Sequence, residues 1–348
     1  MNVIKTTLVI PLSSHKVSTI LVPGAAAPAG INAIKSLRMG GFNGKIVATD
    51  SSYLSPGFFM CDINEVIPEA DNNFFIDRLN EIVSKYGVNM LLPTSGFDIY
   101  PYSEFREQLM KRGAYPVVSD MDSLVICRDK MLTFERLSRR FDLPFTTTDP
   151  GEIDSFPIVA KPRYGKGSRD IMRLDDSDDV KYVTSKMKDL IFQELLPGTE
   201  YTIDVLSDLE KKALLAVPRI RIQTKAGIST KGRILKNRKI EEECERIADF
   251  VGIRGPCCIQ MKEDANGIVK LVEINPRMGG GTIFTTLAGA NFPMMLIDMI
   301  ENRKVQIPEI QEITVIRYYE EIVIRAAAAD QNAFSAKQNI VTKPNTQI

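Results

Sequence analysis

The sequence predicts an α/β protein that opens with a doubly wound, mainly parallel sheet and continues into a strand-rich region. Three observations carry this. Short apolar runs alternate with helical patterns through residue 120 or so. A small-residue turn, Pro23-Gly-Ala-Ala-Ala-Pro-Ala-Gly30, joins the first apolar run to the first helix. Near the other end, the hairpin signal Asn266-Gly267 stands between two strand-like segments that carry polar side chains.

In chain order, residues 18–22 form a strand candidate, 31–39 a helix with Ile31, Ile34 and Leu37 on one stripe, and 45–49 a second strand ending at Asp50. Gly24, Gly30 and Asp50 partly echo a dinucleotide fingerprint. A tight strand-to-helix turn explains them more simply than NAD binding. A helix over 74–86, a buried strand over 90–93, a helix over 102–112 and a strand over 116–119 complete the first sheet. Asp50, Thr94, Ser95 and Asp98 fall at or after strand ends, where open α/β sheets bind ligands.

Beyond this, a helix is expected over 121–141 with Asp129-Lys130 inside it, and a strand over 156–161. The glycine-containing loop Arg163-Tyr-Gly-Lys-Gly-Ser-Arg-Asp170 follows. Strands are expected at 171–174, 191–194, 200–206, 213–221 and 234–235, and helices at 177–188 and 240–251. Residues 282–300 read as mostly helical and 314–324 as a late strand. The tail, 326–348, is polar and expected to be poorly ordered.

Composition bounds the function. The 348 residues are 44% apolar and 25% charged, with 44 basic and 44 acidic side chains and a formal net charge of zero. That gives no sign of a global nucleic-acid or membrane partner. Five cysteines without Cys-x-x-Cys spacing argue against a disulfide scaffold or zinc site. The one histidine, His15, weakens any His-based triad or metal site. No apolar run reaches membrane-spanning length, and 1–11 lacks a full signal-peptide core, so a cytoplasmic protein is expected.

The chemistry concentrates in Leu271-Val-Glu-Ile-Asn-Pro-Arg277. On a strand, Glu273 and Asn275 share a face, with Val272 and Ile274 on the other. Oxygen ligands of this kind suit Mg²⁺, which usually arrives with substrate phosphates. A turn centred near Ala265–Asn266 puts Gln260 opposite Leu271 and diagonal to Glu273. An amphipathic hairpin with a solvated polar face is the alternative. Lys161, on an apolar strand, must snorkel or be paired, and a phosphate is a natural partner. The loop after it contributes Gly165, Lys166, Gly167 and Ser168, whose amides and cations suit phosphate; an ordinary charged hairpin tip is the other reading. Glu194 and Glu200 flank a turn and suit an adenosine or plain solvent. A basic stretch holds Arg219, Arg221, Lys231 and Arg233 with almost no aromatics. It points to an anionic substrate rather than nucleic acid, with a solvated basic face as the alternative.

Taken in order, Arg128/Lys130, Lys161 with its glycine loop, Gln193-Glu194, Glu200, and Gln260 with Glu273-x-Asn275-x-Arg277 resemble the ATP-grasp superfamily. Within it they look closest to carbamoyl phosphate synthetase large-subunit domains and stand-alone carboxylate–amine ligases. The resemblance covers about residues 18–325. It implies an α/β chain with a Rossmann-like pre-ATP-grasp domain (18–120), then an α+β ATP-grasp fold with a small lid subdomain (121–192) and a C-terminal subdomain (193–325). Residues 1–17 would be an extension and 326–348 a tail.

By position, it implies that Arg128, Lys130 and Lys161 hold ATP phosphates under the 163–170 lid. Glu194, with Leu196, would face the adenine, and Glu200 the ribose. Gln260, Glu273 and Asn275 would ligate Mg²⁺, with Mn²⁺ as an alternative. Arg277 would stabilise an acyl phosphate, and Lys161 would share the catalytic work. Arg219, Arg221, Lys231 and Arg277 would meet a small carboxylate that an amine attacks, and a homodimer is the family expectation. Carboxyphosphate or kinase chemistry, and a non-catalytic ATP-binding role, share the same site. A dehydrogenase has no catalytic His or Tyr motif to go with Gly24–Asp50. Only one copy of the core is present, against two in carbamoyl phosphate synthetase.

Overall fold

The computed structural model describes residues 16–165 and 170–324. The expected tail, His15 and the Lys166–Ser168 stretch lie outside them.

The first sheet is fully parallel. Its strands are β1 (Thr19–Pro23), β2 (Lys45–Asp50), β3 (Ile63–Val66), β4 (Met90–Leu91) and β5 (Tyr115–Pro116), ordered β3-β2-β1-β4-β5. Strand order reverses about β1, so the crevice beyond the ends of β1 and β4 is the place where such sheets hold ligands. Helix α1 (Pro28–Met39) leaves β1 through the glycine turn; α2 (Phe75–Tyr86), α3 (Ile99–Glu104) and α4 (Arg106–Lys111) follow. The single helix expected over 102–112 is two short ones, broken at Phe105.

The turn into α1 is closed by backbone contact. Gly24 takes φ +64°, and Asp50 accepts a hydrogen bond from the Ala26 amide (2.8 Å) and another from Ser52 (3.1 Å). Asp50 thus buttresses the turn. At Gly30 a Cβ would stand 2.3 Å from the Gly24 carbonyl oxygen, so only glycine lets the helix start this close to β1.

The expected helix over 121–141 divides into α5 (Met121–Arg128) and α6 (Lys130–Leu137). Asp129 is the reason. It leaves the helical conformation, and its carboxylate caps α6 by accepting from the Met131 (3.0 Å) and Leu132 (3.2 Å) amides. A small sheet follows: β6 (Thr146–Thr147), β7 (Ile158–Pro162), β8 (Met172–Leu174) and β9 (Leu190–Glu194), with α7 (Ser177–Lys186) packed on it around its own apolar cluster.

The third sheet is antiparallel, ordered β14-β13-β10-β11-β12-β15. Its strands are β10 (Glu200–Ser207), β11 (Ala213–Lys225), β12 (Ile228–Ile234), β13 (Gly255–Glu263), β14 (Val269–Asn275) and β15 (Thr314–Ile316). The β11–β12 arm is much longer than expected. Its outer half is polar, which hides the strand period from a reading of hydrophobicity. Helix α8 (Arg238–Val251) covers one face, packing Ile240, Cys244 and Ile247 against Ile259, Met261 and Ile274. The segment 282–300 breaks into α9 (Thr282–Leu287) and α10 (Phe292–Ile300) around Gly289, at φ +117°. The late strand keeps only three of its expected residues. α10 packs with α1 and with Leu206 and Val217, so the first and third sheets share one core.

The Gly30→Ala variant is expected to lose about 1–3 kcal/mol of stability through overpacking. Chemical denaturation should show a lower midpoint with an unchanged slope; an unchanged midpoint would mean the turn has room to spare.

Candidate functional site

Two cavities flank the end of β14. The first, about 220 Å³, is walled by Lys130, Lys161, Gly165, Glu194, Leu196, Glu200, Gln260 and Glu273, among others. The second, about 390 Å³, opens at the crevice of the first sheet, where Gly24, Asp50, Thr94, Ser95 and Asp98 meet Arg277 and Gly280.

Lys161 is the most constrained group. It is only 6% exposed, and its ammonium donates to Gln193 Oε1 at 2.7 Å; Gln193 in turn donates to Thr146 (2.8 Å). Burial pushes Lys161 down to about 8, against a partial upward pull from the Glu273 carboxylate, while Lys130 adds to the depression. Lys130 donates to the Gly165 carbonyl (3.0 Å) and so holds the start of the glycine loop. Burial lowers it too, partly offset by Glu273 and then Asp129. Below it, Asp129 binds Arg163 in a two-pronged pair (2.7 and 2.6 Å) and accepts from Tyr164 (3.0 Å). Burial alone would raise the Asp129 carboxyl. The bonds from Arg163, the Leu132 amide and Tyr164 outweigh that and hold it below the usual carboxylate range. Arg128 lies over the Tyr100 ring at 5.2 Å and is not among the residues walling the cavity.

The Glu273 carboxylate makes no ion pair or hydrogen bond among the described residues, although buried Lys161 and half-buried Lys130 feel its field. Its position depends on a hairpin detail. The β13–β14 pairing runs Lys262 to Lys270 and Met261 to Leu271, then shifts by one residue, so Gln260 faces Glu273 directly. The turn is centred on Asn266, one half-step beyond the expected Ala265–Asn266, which by itself would have put Gln260 opposite Val272. The bulge at Val272 restores the register. It also corrects the expected face pattern. Leu271 and Ile274 enter the core, whereas Val272 joins Glu273 on the cavity wall. Gln260 and Glu273 therefore share one face, and Asn275 pairs with Cys258 further along the strand.

The Glu194 carboxylate is occupied. Lys270 approaches both oxygens at 2.8 Å, and the Phe145 amide donates at 3.2 Å. Glu200 pairs with Arg221. Arg219 is 2% exposed and ion-paired with Asp204, which is 1% exposed and also accepts from Thr285 (2.6 Å). Neither Arg219, Arg221 nor Lys231 walls either cavity; the side chains of Arg219 and Arg221 are buried against Asp204 and Glu200, and Lys231 is exposed. Arg277 does reach the second cavity. It donates to its neighbour's carbonyl at Met278 (2.9 Å) and to Asn275 (3.3 Å), while the Met278 amide docks on Pro93 of the first sheet (2.8 Å).

Several functional neighbours escaped the sequence reading. Asp204 was visible in principle, as a charge inside an apolar strand that must have a partner. Lys262 and Lys270 carried no signal of their own. Arg317, which donates to the Gly280 carbonyl at 2.5 Å and stacks near Phe284 (5.0 Å), was hidden in a segment without periodicity.

A hard divalent cation fits the donors. One free carboxylate, Glu273, faces an amide, Gln260, with Asn275 two residues on; such an ion takes its other ligands from phosphates and water. Among the described residues no cluster of three His, Cys, Asp or Glu side chains could hold a metal. No helix of the described residues is long and apolar enough to cross a membrane.

A parallel sheet with an open crevice, and a small lysine-bearing sheet and a large antiparallel sheet that together bring Glu194, Glu200 and Glu273 to one cavity, define a cleft protein of mixed α/β build. The likeness to ATP-grasp proteins is carried by the second half of the chain, and a separate likeness covers the first sheet. Residues 186–322 match the family model for ATP-grasp in the biosynthetic pathway with Ter operon, and residues 30–117 match the PylC-like N-terminal domain. A curated relative, the alpha-aminoadipate–LysW ligase LysX of Saccharolobus solfataricus, is 24% identical over 164 residues, 41% of this chain. The match spans 60% of that relative's length. Among solved structures, the fold is shared with N5-carboxyaminoimidazole ribonucleotide synthetase from Thermotoga maritima. That likeness has TM-score 0.61 and 17% identity, over 84% of this chain and 78% of that one. It is shared too with the biotin carboxylase domain of Hydrogenobacter thermophilus 2-oxoglutarate carboxylase in complex with MgADP. Here the TM-score is 0.68 at 14% identity, over 85% and 72% of the two chains.

Proposed function

We propose that the chain is an ADP-forming ligase that activates a small carboxylate with ATP and joins it to an amine. The observation that carries this reading is Glu273, without an ion pair among the described residues, on one cavity with buried Lys161 and half-buried Lys130, and with Arg277 on the adjoining cavity. Lys130 and Lys161 would hold the ATP phosphates, with Arg128 nearby; Lys166, Gly167 and Ser168, expected to join them, lie outside the described residues. Since Glu194's carboxylate is engaged by Lys270, the main chain beside it and Leu196 would meet the adenine. Glu200 would accept from the ribose. Glu273, Gln260 and Asn275 would hold Mg²⁺ or Mn²⁺, which supplies charge neutralisation for the transferred phosphoryl group.

A carboxylate oxygen attacks the γ-phosphorus, the bond to the ADP oxygen breaks, and an acyl phosphate forms. The amine nitrogen then attacks the acyl carbon and gives up a proton, and the C–O bond breaks with loss of phosphate. No protein nucleophile is required; positioning and cationic stabilisation suffice. Arg277 would face the acyl phosphate as its charge develops. The second cavity suits both reactants, with Arg277 on one wall and Asp50, Glu69 and Asp98 on others. Small-molecule acid and amine are therefore the partners proposed, in a cytoplasmic setting.

Turnover is tested by incubating the protein with Mg²⁺, ATP and pooled amino acids and small carboxylates, then resolving products by mass. ADP together with a mass equal to acid plus amine minus water is the expected result. AMP, or a phosphorylated acid without condensation, would move the chemistry to adenylation or kinase action. Glu273→Ala and Arg277→Ala should each cut kcat by about 10²–10³-fold in folded protein; full turnover in both would remove these assignments.

The lysine gives a pH signature. In the free protein Lys161 loses its proton as pH rises through about 8, and only the ammonium attracts phosphate. Calorimetric titration with MgADP should therefore find affinity about tenfold weaker at pH 9 than at pH 7. A flat profile would place Lys161 away from the phosphates. The linked stability has the opposite sign: the unfolded chain keeps this proton up to the ordinary lysine range, so the cost of burying the cation is relieved between about 8 and 10.5.

A further inference from the structure

Arg221 stands between the two cavities and touches an element of each. Its guanidinium pairs with Oε1 of Glu200, a wall of the first cavity. The other prong donates to the Gly227 carbonyl at 2.6 Å. Gly227 and Ala226 both have positive φ (+74° and +48°) and form the two-residue turn of the β11–β12 hairpin, between Lys225 and Ile228. Ile228 is itself a wall of the second cavity, 3.7 Å from where a Cβ on Gly280 would lie. The side chain of Arg221 is 7% exposed, and its Nε is buried without a partner.

The ladder of the arm beyond Arg221 is interrupted twice before it reaches the turn. Its register shifts between Arg221 and Gln223 and again between Gln223 and Thr224. Such irregularities weaken the coupling between strands. The fork of Arg221 therefore braces the turn from its base, and the far end of that brace is a carboxylate facing the first cavity. Among the described residues Oε2 of Glu200 makes no hydrogen bond and is available to a ligand.

We propose that Arg221 is a positioning residue that couples the two cavities: a nucleotide held against Glu200 fixes Arg221, and through Gly227 this sets the Ile228 wall where the acceptor binds. The inference rests on the nucleotide reading above. A ligand can shift a neighbouring element only by a differential contact with it, and the Glu200–Arg221–Gly227 chain supplies one. Lysine cannot replace it, because a single ammonium does not span both partners as a planar fork does.

Hydrogen–deuterium exchange of the full chain, with and without saturating MgADP, reads both ends separately. In the wild type, MgADP should protect peptides covering 193–201 and slow exchange over 225–231 by about 5-fold or more, the low end of ordinary site-to-site coupling. In Arg221→Lys and Arg221→Met, each at saturating MgADP, protection of 193–201 should remain and that of 225–231 should vanish. Hairpin exchange that ignores MgADP in the wild type, or that stays protected in both variants, overturns the coupling. Failure of MgADP to protect 193–201 in the wild type is a different result; it removes the nucleotide reading, and the coupling with it.

Discussion

The site rests on one buried ion pair, Arg219 with Asp204. A charge pair this deep is not a strong source of stability, since desolvation consumes most of the attraction. This one also leaves Asp204 Oδ1 and Arg219 Nε without hydrogen-bond partners. Its effect is positional. Asp204 belongs to β10, Arg219 to β11, and Thr285, which also donates to Asp204, to α9. The guanidinium lies against Gly281, where an added Cβ would come within 2.6 Å of it, and Asp204 Oδ1 would sit 3.5 Å from a Cβ on Gly279. The segment that carries Arg277 is laid directly over this pair, and larger residues in place of those glycines would lift it off.

The same loop is gripped from two other sides. The Gly280 carbonyl accepts from Asn32 of α1 (2.8 Å) and from Arg317 of the closing segment. The Met278 amide reaches Pro93 beside β4. Burial, then the like charge of Arg219, push Arg317 down to about 10, with Asp204 pulling the other way. It stays charged at neutral pH. Two guanidiniums thus share one carboxylate beneath the loop, and the surplus positive charge adjoins the cavity that Arg277 enters. An anion placed there meets a field that is already paid for by the fold.

Much of this was legible in the sequence, and the gaps have physical causes. The alternation of apolar runs and helical patterns is strong where strands are buried on both faces, as in β1 and β2, and there the expected elements match the observed ones within a residue or two. Lys161 was legible because a cation on an apolar strand needs a partner. The outer β11–β12 arm was not, because both its faces are polar. The helix breaks at Asp129 and Gly289 were missed because one capping or positive-φ residue interrupts an otherwise continuous pattern. Contacts such as Arg317 with Gly280 join residues 37 apart and leave no local trace.

The β13–β14 hairpin is the instructive case. Counting from Asn266-Gly267 placed Gln260 on the same face as Glu273, which is where it lies, but through the wrong pairing. A strand has period two, so a turn displaced by half a step would have turned Gln260 away. The bulge at Val272 adds the missing residue and turns Val272 toward the cavity while Leu271 and Ile274 stay in the core. Without that bulge no choice of turn keeps both Leu271 and Ile274 buried, because residues three apart face opposite ways on a regular strand. The sequence alone was ambiguous: Val272 with Ile274 fits a regular strand, whereas Leu271 with Ile274 needs an irregularity between them, and the fold takes the second. That irregularity leaves Glu273 as the carboxylate facing Gln260 across the hairpin.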